Sequence, residues 1–111
     1  MERDASFVKV ARADDLANGQ SKIVFLGIKR LALFRIDDVF YCIQNNCPHA
    51  GGFLGNGTID GCGVRCPRHD WWFDLKNGQC RTDPRYEVQT YVTRVEDGDV
   101  YIDTATSGGI V

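Results

Sequence analysis

Two short segments, Cys47-Pro48-His49 and Cys66-Pro67-Arg68-His69, carry both histidines of this 111-residue chain and two of its five cysteines. Each offers one thiol and one imidazole beside a proline. If both serve one centre, loops separated by the sixteen residues between His49 and Cys66 must reach the same end of the fold. That requirement constrains the architecture more than any helix or strand signal. The intervening segment holds Gly51, Gly52, Gly55, Gly57, Gly61 and Gly63, half of the twelve glycines. Glycine lets the main chain come close to a ligand and take turns that a Cβ resists.

The rest of the chain reads as short strands between turns. Residues 7–10 alternate weakly, and residues 11–19 have room for one helical turn ending at Gly19. Strand-like runs follow at 23–26, 31–36 and 39–43; only Asp37-Asp38 separates the last two, a two-residue hairpin signal. Asp60-Gly61, Asn77-Gly78 and Asp97-Gly98 mark further turns. The clearest hairpin joins residues 91–96 to 99–102 through Asp97-Gly98. On its first strand Tyr91, Thr93 and Val95 share one face and Val92, Arg94 and Glu96 the other, and neither face is cleanly apolar. There is no long amphipathic helix and no repeat. The pattern predicts an all-β fold, a small antiparallel β-sandwich or barrel, as a single domain over residues 1–111 with a frayed tail at 104–111.

Net charge is −2, which argues against nucleic acid as a partner. No apolar run approaches the roughly 18 residues of a membrane span. The start, MERDASFVKV, lacks the apolar core of a signal peptide. These features predict a cytoplasmic protein, where cysteines serve as metal ligands or free thiols more often than as disulfides.

Three chemistries suit the Cys/His pairs. One is no metal, with packed cysteines and histidines. A second is a structural zinc site with Cys2His2 ligands; the single residue between Cys47 and His49 makes closing a tetrahedron on one ion awkward. The third is a [2Fe–2S] cluster, where one loop's thiolate and imidazole reach different irons, so that Cys47 joins Cys66 and His49 joins His69.

C-x-H, sixteen residues, then C-x-x-H resembles the Rieske family, and His69-Asp-Trp71-Trp-Phe73-Asp-Leu-Lys-Asn-Gly78 resembles that family's continuation. The likeness covers residues 23–103. It implies a small antiparallel β-domain with two cluster-binding loops at one tip. It further implies one [2Fe–2S] cluster per chain, with Cys47, His49, Cys66 and His69 as ligands and the His-bound iron nearest solvent. High-potential members carry two extra loop cysteines joined as a disulfide; those positions here are Gly52 and Arg68. They also place a Ser and a Tyr after the second ligand His, where this chain has Trp71 and Phe73. Fewer hydroxyl donors to sulfur imply a low potential, around −150 mV. Pro84 resembles the proline of the loop that covers the cluster in this family.

Among the remaining cysteines, Cys42 in its apolar run and Cys80 after the Asn77-Gly78 turn are expected as packing, and Cys62 between two glycines as exposed. A Cys62–Cys80 disulfide is disfavoured in the cytoplasm. Phe73 and one tryptophan are expected in the core, with the other tryptophan at the rim. Arg65, Arg68, Lys76, Arg81 and Arg85 outnumber Asp70, Asp74 and Asp83, a local positive excess suited to an acidic partner or to a solvated loop face. There is no nucleophile–base constellation and no nucleotide-binding glycine fingerprint. Both histidines are committed, so none remains for a mononuclear oxygenase iron. The chain therefore reads as a one-electron carrier with no substrate site of its own. It would take electrons from a flavin- or NAD(P)H-linked reductase. It would pass them to a terminal oxygenase, as a ring-hydroxylating system's ferredoxin, or to a nitrite reductase large subunit, as the small subunit. The alternative is a zinc-stapled structural or interaction module without redox activity.

Overall fold

The computed structural model describes residues 7–48, 52–68 and 70–107, with 104–107 described by backbone alone. The strands are β1 (Phe7–Arg12), β2 (Gln20–Leu26), β3 (Lys29–Ile36), β4 (Val39–Gln44), β5 (Thr58–Asp60), β6 (Gly63–Arg65), β7 (Trp72–Asp74), β8 (Thr90–Glu96) and β9 (Asp99–Ser107). Six of them form one sheet in the order β1-β9-β8-β4-β3-β2, and β5-β6-β7 form a three-stranded sheet. Every pairing is antiparallel.

The hairpins follow from their turn residues. Asp37 (φ 51°) and Asp38 (φ 65°) both take the left-handed conformation that a two-residue β3–β4 turn requires. Asp tolerates that conformation better than most residues do. Asn18 accepts a hydrogen bond from the Asp38 N–H at 2.7 Å, and Arg35 pairs with the Asp38 carboxylate at 3.0 Å. Asp97 (φ 53°) and Gly98 (φ 80°) do the same for β8 and β9. The expected helical turn is one short 3-10 turn, Ala13–Asp15, and Gly19 ends the following loop at φ 86°.

Leu31, Ala32, Leu33 and Phe34 are all buried, although successive residues point to opposite faces. Leu31 and Leu33 belong to one core with Val24, Phe40, Cys42, Tyr91, Val100 and Ile102. Ala32 and Phe34 belong to a second core with Ile43, Cys47, Leu54, Val64, Cys66 and Phe73. Strands β3 and β4 thus form a wall between two cores. The first core lies inside the curl of the large sheet; the second lies between that sheet and the small one. On β8, Tyr91 is buried whereas Val92 and Val95 are exposed, and the register slips between Tyr91 and Thr93. That irregularity breaks the alternation and explains why neither face looked apolar. The last strand runs from Asp99 to Ser107, with Ser107 opposite Tyr91 of β8. Residues 108–111 lie outside the described residues.

Asn45 is the buried polar residue among the described ones. Its Oδ1 accepts the Gly55 N–H at 2.9 Å and its carbonyl accepts the Leu54 N–H at 2.6 Å. From β2, the Ser21 hydroxyl donates to the Gly55 carbonyl at 2.9 Å. These bonds fasten the Leu54–Asn56 turn to the end of β4, just before Cys47. Replacing Asn45 by Ala strands a buried N–H and is expected to destabilise the fold by about 1–3 kcal/mol, read by urea unfolding.

Burial pushes the Cys42 thiol up to about 12 from its ordinary 9.0. The unfolded chain ionises this thiol first, so the stability it contributes is full below about pH 9 and is lost as pH rises toward about 12. The slope is about 1.4 kcal/mol per pH unit in that window. Cys42→Ala is expected to flatten the alkaline decline in urea-unfolding free energy between about pH 9 and about pH 11. Equal slopes in variant and parent would contradict this origin.

Candidate metal centre

The two loops are built alike. From the end of β4 the chain reaches the isolated bridge Asn46↔Phe53, and Cys47 begins the loop inside it. The Cys47 N–H donates to the Gly52 carbonyl at 2.8 Å. From β6 the chain enters the second loop at Cys66, whose N–H donates to the Trp71 carbonyl at 2.8 Å. Each cysteine thus closes its loop on the carbonyl five residues on. Inside the second loop the Asp70 N–H donates to the Cys66 carbonyl at 2.8 Å, and Asp70 turns the chain at φ 62°. Arg65 steadies that turn, donating to the Asp70 carbonyl at 3.3 Å and pairing with its carboxylate at 3.6 Å.

Cys47 is 3% exposed and Cys66 1%, and both pack in the core cluster that holds Val64, Phe73, Leu75 and Cys80. The loops meet where Gly52 is buried under the second loop. A Cβ at Gly52 would stand 2.9 Å from Arg68 Cγ, 3.1 Å from Arg68 Cδ and 3.0 Å from Cys66 Sγ. Gly52 and Arg68, which the resemblance matched to the extra cysteines of high-potential domains, therefore touch. An arginine stem lies where those domains have a disulfide. His49 and His69 lie outside the described residues. Two buried cysteines on two identically closed loops, meeting at a seam with no room for a Cβ, fit a centre held jointly by both loops. Thiolates suit an iron–sulfur cluster.

The remaining cysteines take other roles. Cys42 is buried in the other core and its thiol is held protonated by burial. Cys80 is fully buried, and its Sγ accepts the Asp83 N–H at 3.3 Å. Cys62 is half-exposed and hydrogen-bonds Tyr41, which, with burial, raises the Tyr41 pKa. Cys62 and Cys80 are both free thiols, so no disulfide joins them. Phe73 is wholly buried as expected, but neither tryptophan is. Trp71 stays half-buried against the core, its ring 5.3 Å from that of Tyr86. Trp72 points the other way, as the strand alternation demands. It covers Gly63, donates its indole N–H to the Asp60 carbonyl at 3.0 Å and lies 4.1 Å under the Arg81 guanidinium. Pro84 lines a recess with Trp72, Gln79, Cys80 and Arg81.

The local positive excess is smaller than the sequence suggested. Arg65 pairs with Asp60 at 2.9 Å, a carboxylate not among the three counted, so the excess falls by one; Arg85 pairs with Asp83 at 2.7 Å, which the count already included. Asn45 was not singled out from the sequence as a structural partner; the closeness of Gly52 and Arg68 was implied there only through the disulfide of high-potential family members.

Comparison with known proteins agrees with this geometry. The Rieske [2Fe–2S] domain family matches residues 6–101. The chain is 31% identical over 98 residues to ferredoxin CarAc of Metapseudomonas resinovorans, covering 86% of this chain and 92% of that one. It superposes with a TM-score of 0.81 at 30% identity on a chain from the complex of reduced oxygenase and oxidised ferredoxin in carbazole 1,9a-dioxygenase, covering 89% and 94% of the two chains. A protein described as the small subunit of an NADPH nitrite reductase matches with a TM-score of 0.79 at 30% identity, over 86% of this chain and 96% of the other. Zinc stapling is not favoured beside such relatives. A Rieske domain binds a [2Fe–2S] cluster, and two loops closed around buried cysteines at the edge of a small antiparallel sheet are its framework here: this chain belongs to the Rieske [2Fe–2S] family.

Proposed function

We propose that this chain is a low-potential electron carrier that holds its cluster through Cys47, His49, Cys66 and His69. The observation that carries the reading is the matched closure of the two loops around buried Cys47 and Cys66. When bound, the cluster takes up and releases one electron at a time. The cysteines would supply both thiolates from the core side, and the hydrophobic cluster around Phe73, Leu75 and Val88 keeps water from that side. The low potential follows from Phe73, which packs in the cluster of buried residues shared with Cys47 and Cys66 and brings no hydroxyl to it. Fewer donors to sulfur disfavour the reduced, more negative state.

The partners follow from the relatives: a flavin- or NAD(P)H-linked reductase as donor and a terminal oxygenase as acceptor, with a nitrite reductase large subunit as the second reading. The ferredoxin likeness supports the first and the nitrite reductase small-subunit likeness the second. Co-purification separates them, since a subunit comes down with its large partner and a shuttle purifies alone. A cytoplasmic setting accords with the free thiols of Cys42, Cys62 and Cys80. No helix among the described residues is long and apolar enough to cross a membrane.

An EPR-monitored redox titration tests the reading. A reduced Rieske signal with a midpoint near about −150 mV is expected; an EPR-silent protein carrying zinc would overturn it. His49→Ala and His69→Ala are each expected to lose that signal, and an intact signal in His69→Ala would sink the ligand assignment. Phe73→Tyr is expected to raise the midpoint by offering sulfur a hydroxyl donor, and an unchanged or lower value would contradict the account of the potential.

A further inference from the structure

We propose that Arg68 is a positioning residue whose aliphatic stem, seated on Gly52 beside Cys66, clasps the two cluster loops together. The inference rests on the ligand reading above and concerns what keeps the loops in place. Gly52 ends the first loop and accepts the Cys47 N–H, so any push on Gly52 is felt at Cys47. The atoms nearest a Cβ at Gly52 are Arg68 Cγ at 2.9 Å, Cys66 Sγ at 3.0 Å and Arg68 Cδ at 3.1 Å. Carbon atoms of the stem, not the guanidinium, fill the space over the glycine. Gly52 and Cys66 are buried while Arg68 as a residue is exposed, so the stem covers the seam and the charged head reaches water.

Nearby arginines are placed differently. Arg65 and Arg85 are held by carboxylates, and Arg81 by the face of Trp72. Arg68 is set by van der Waals contact with a glycine that has no room for a side chain. The contact joins the last residue of one loop to the ligand segment of the other. It therefore fixes the distance between the loops, which a cluster shared by both must match, and it shields the Cys66 sulfur.

The test follows the loss of visible cluster absorbance from the purified holoprotein in the presence of an iron chelator, with circular dichroism to confirm the fold. Arg68→Ala is expected to lose the cluster about tenfold faster than the parent. Arg68→Met keeps the stem without the charge and is expected to stay near the parent rate. Gly52→Ala is expected to speed the loss in the parent. It should do so less in the Arg68→Ala background, where the new methyl enters the space the stem has left. An unchanged rate in Arg68→Ala overturns the clasp alone, as does a rate in Arg68→Met equal to that of Arg68→Ala. Should Arg68→Ala not fold, Gly52→Ala decides: cluster loss no faster than in the parent would mean that the seam bears no load. Retention of the Rieske signal by His69→Ala overturns the ligand reading and the clasp with it.

Discussion

Burial of β3 and β4 on both faces is the constraint on which the rest of the structure depends. A strand covered on one side would leave half of Leu31-Ala-Leu-Phe34 in water, and burying one large aliphatic or aromatic side chain contributes roughly 1.5–3 kcal/mol. The chain answers by placing one core on each face. The curl of β1, β9 and β8 covers one side, and the small sheet with the Leu54–Asn56 turn covers the other. The small sheet cannot form a core alone: its strands have three residues each, and Val64 and Phe73 are buried only because Phe34 and Ile43 lie opposite.

The metal centre is attached to that second core rather than grafted on a flexible surface. Cys47 and Cys66 are core residues as much as ligand candidates, packed with Phe73, Leu75 and Cys80. A thiol placed by its neighbours and by a closed loop loses little freedom when a metal arrives, so these two thiols are pre-organised. Asn45 ties the turn after the first loop to the wall, and Arg65 ties the tight turn of the second loop to the small sheet. The described parts of both loops are therefore tied back to the two sheets.

Part of the surface charge in this region is balanced within the fold. The Arg65–Asp60 and Arg85–Asp83 pairs are exposed, and such pairs contribute little stability. The Arg65–Asp60 pair neutralises one cation that the count along residues 65–85 leaves free. Arg81 shields Trp72, and the stem of Arg68 is used in packing. The charge a partner meets is thus decided by which arginines are engaged.

Much of this was legible in the chain. Turn residues at 37–38 and 97–98 located two hairpins and Gly61 a third, because left-handed backbone is open to few residue types; the β2–β3 turn at Gly27 was not marked. The Cys47 and Cys66 segments declared their loops through spacing alone, and family resemblance named the cluster. What the sequence by itself determined was local: strand periodicity, turn chemistry and ligand type act over a few residues. The tertiary structure decided which of two faces each apolar residue of β3 enters, since a continuous apolar run has no period to read. It also decided that both tryptophans stay half-buried and that Gly52 lies under the stem of Arg68. Those outcomes depend on contacts between residues distant in sequence, whose energies exist only once the wall has brought both partners together.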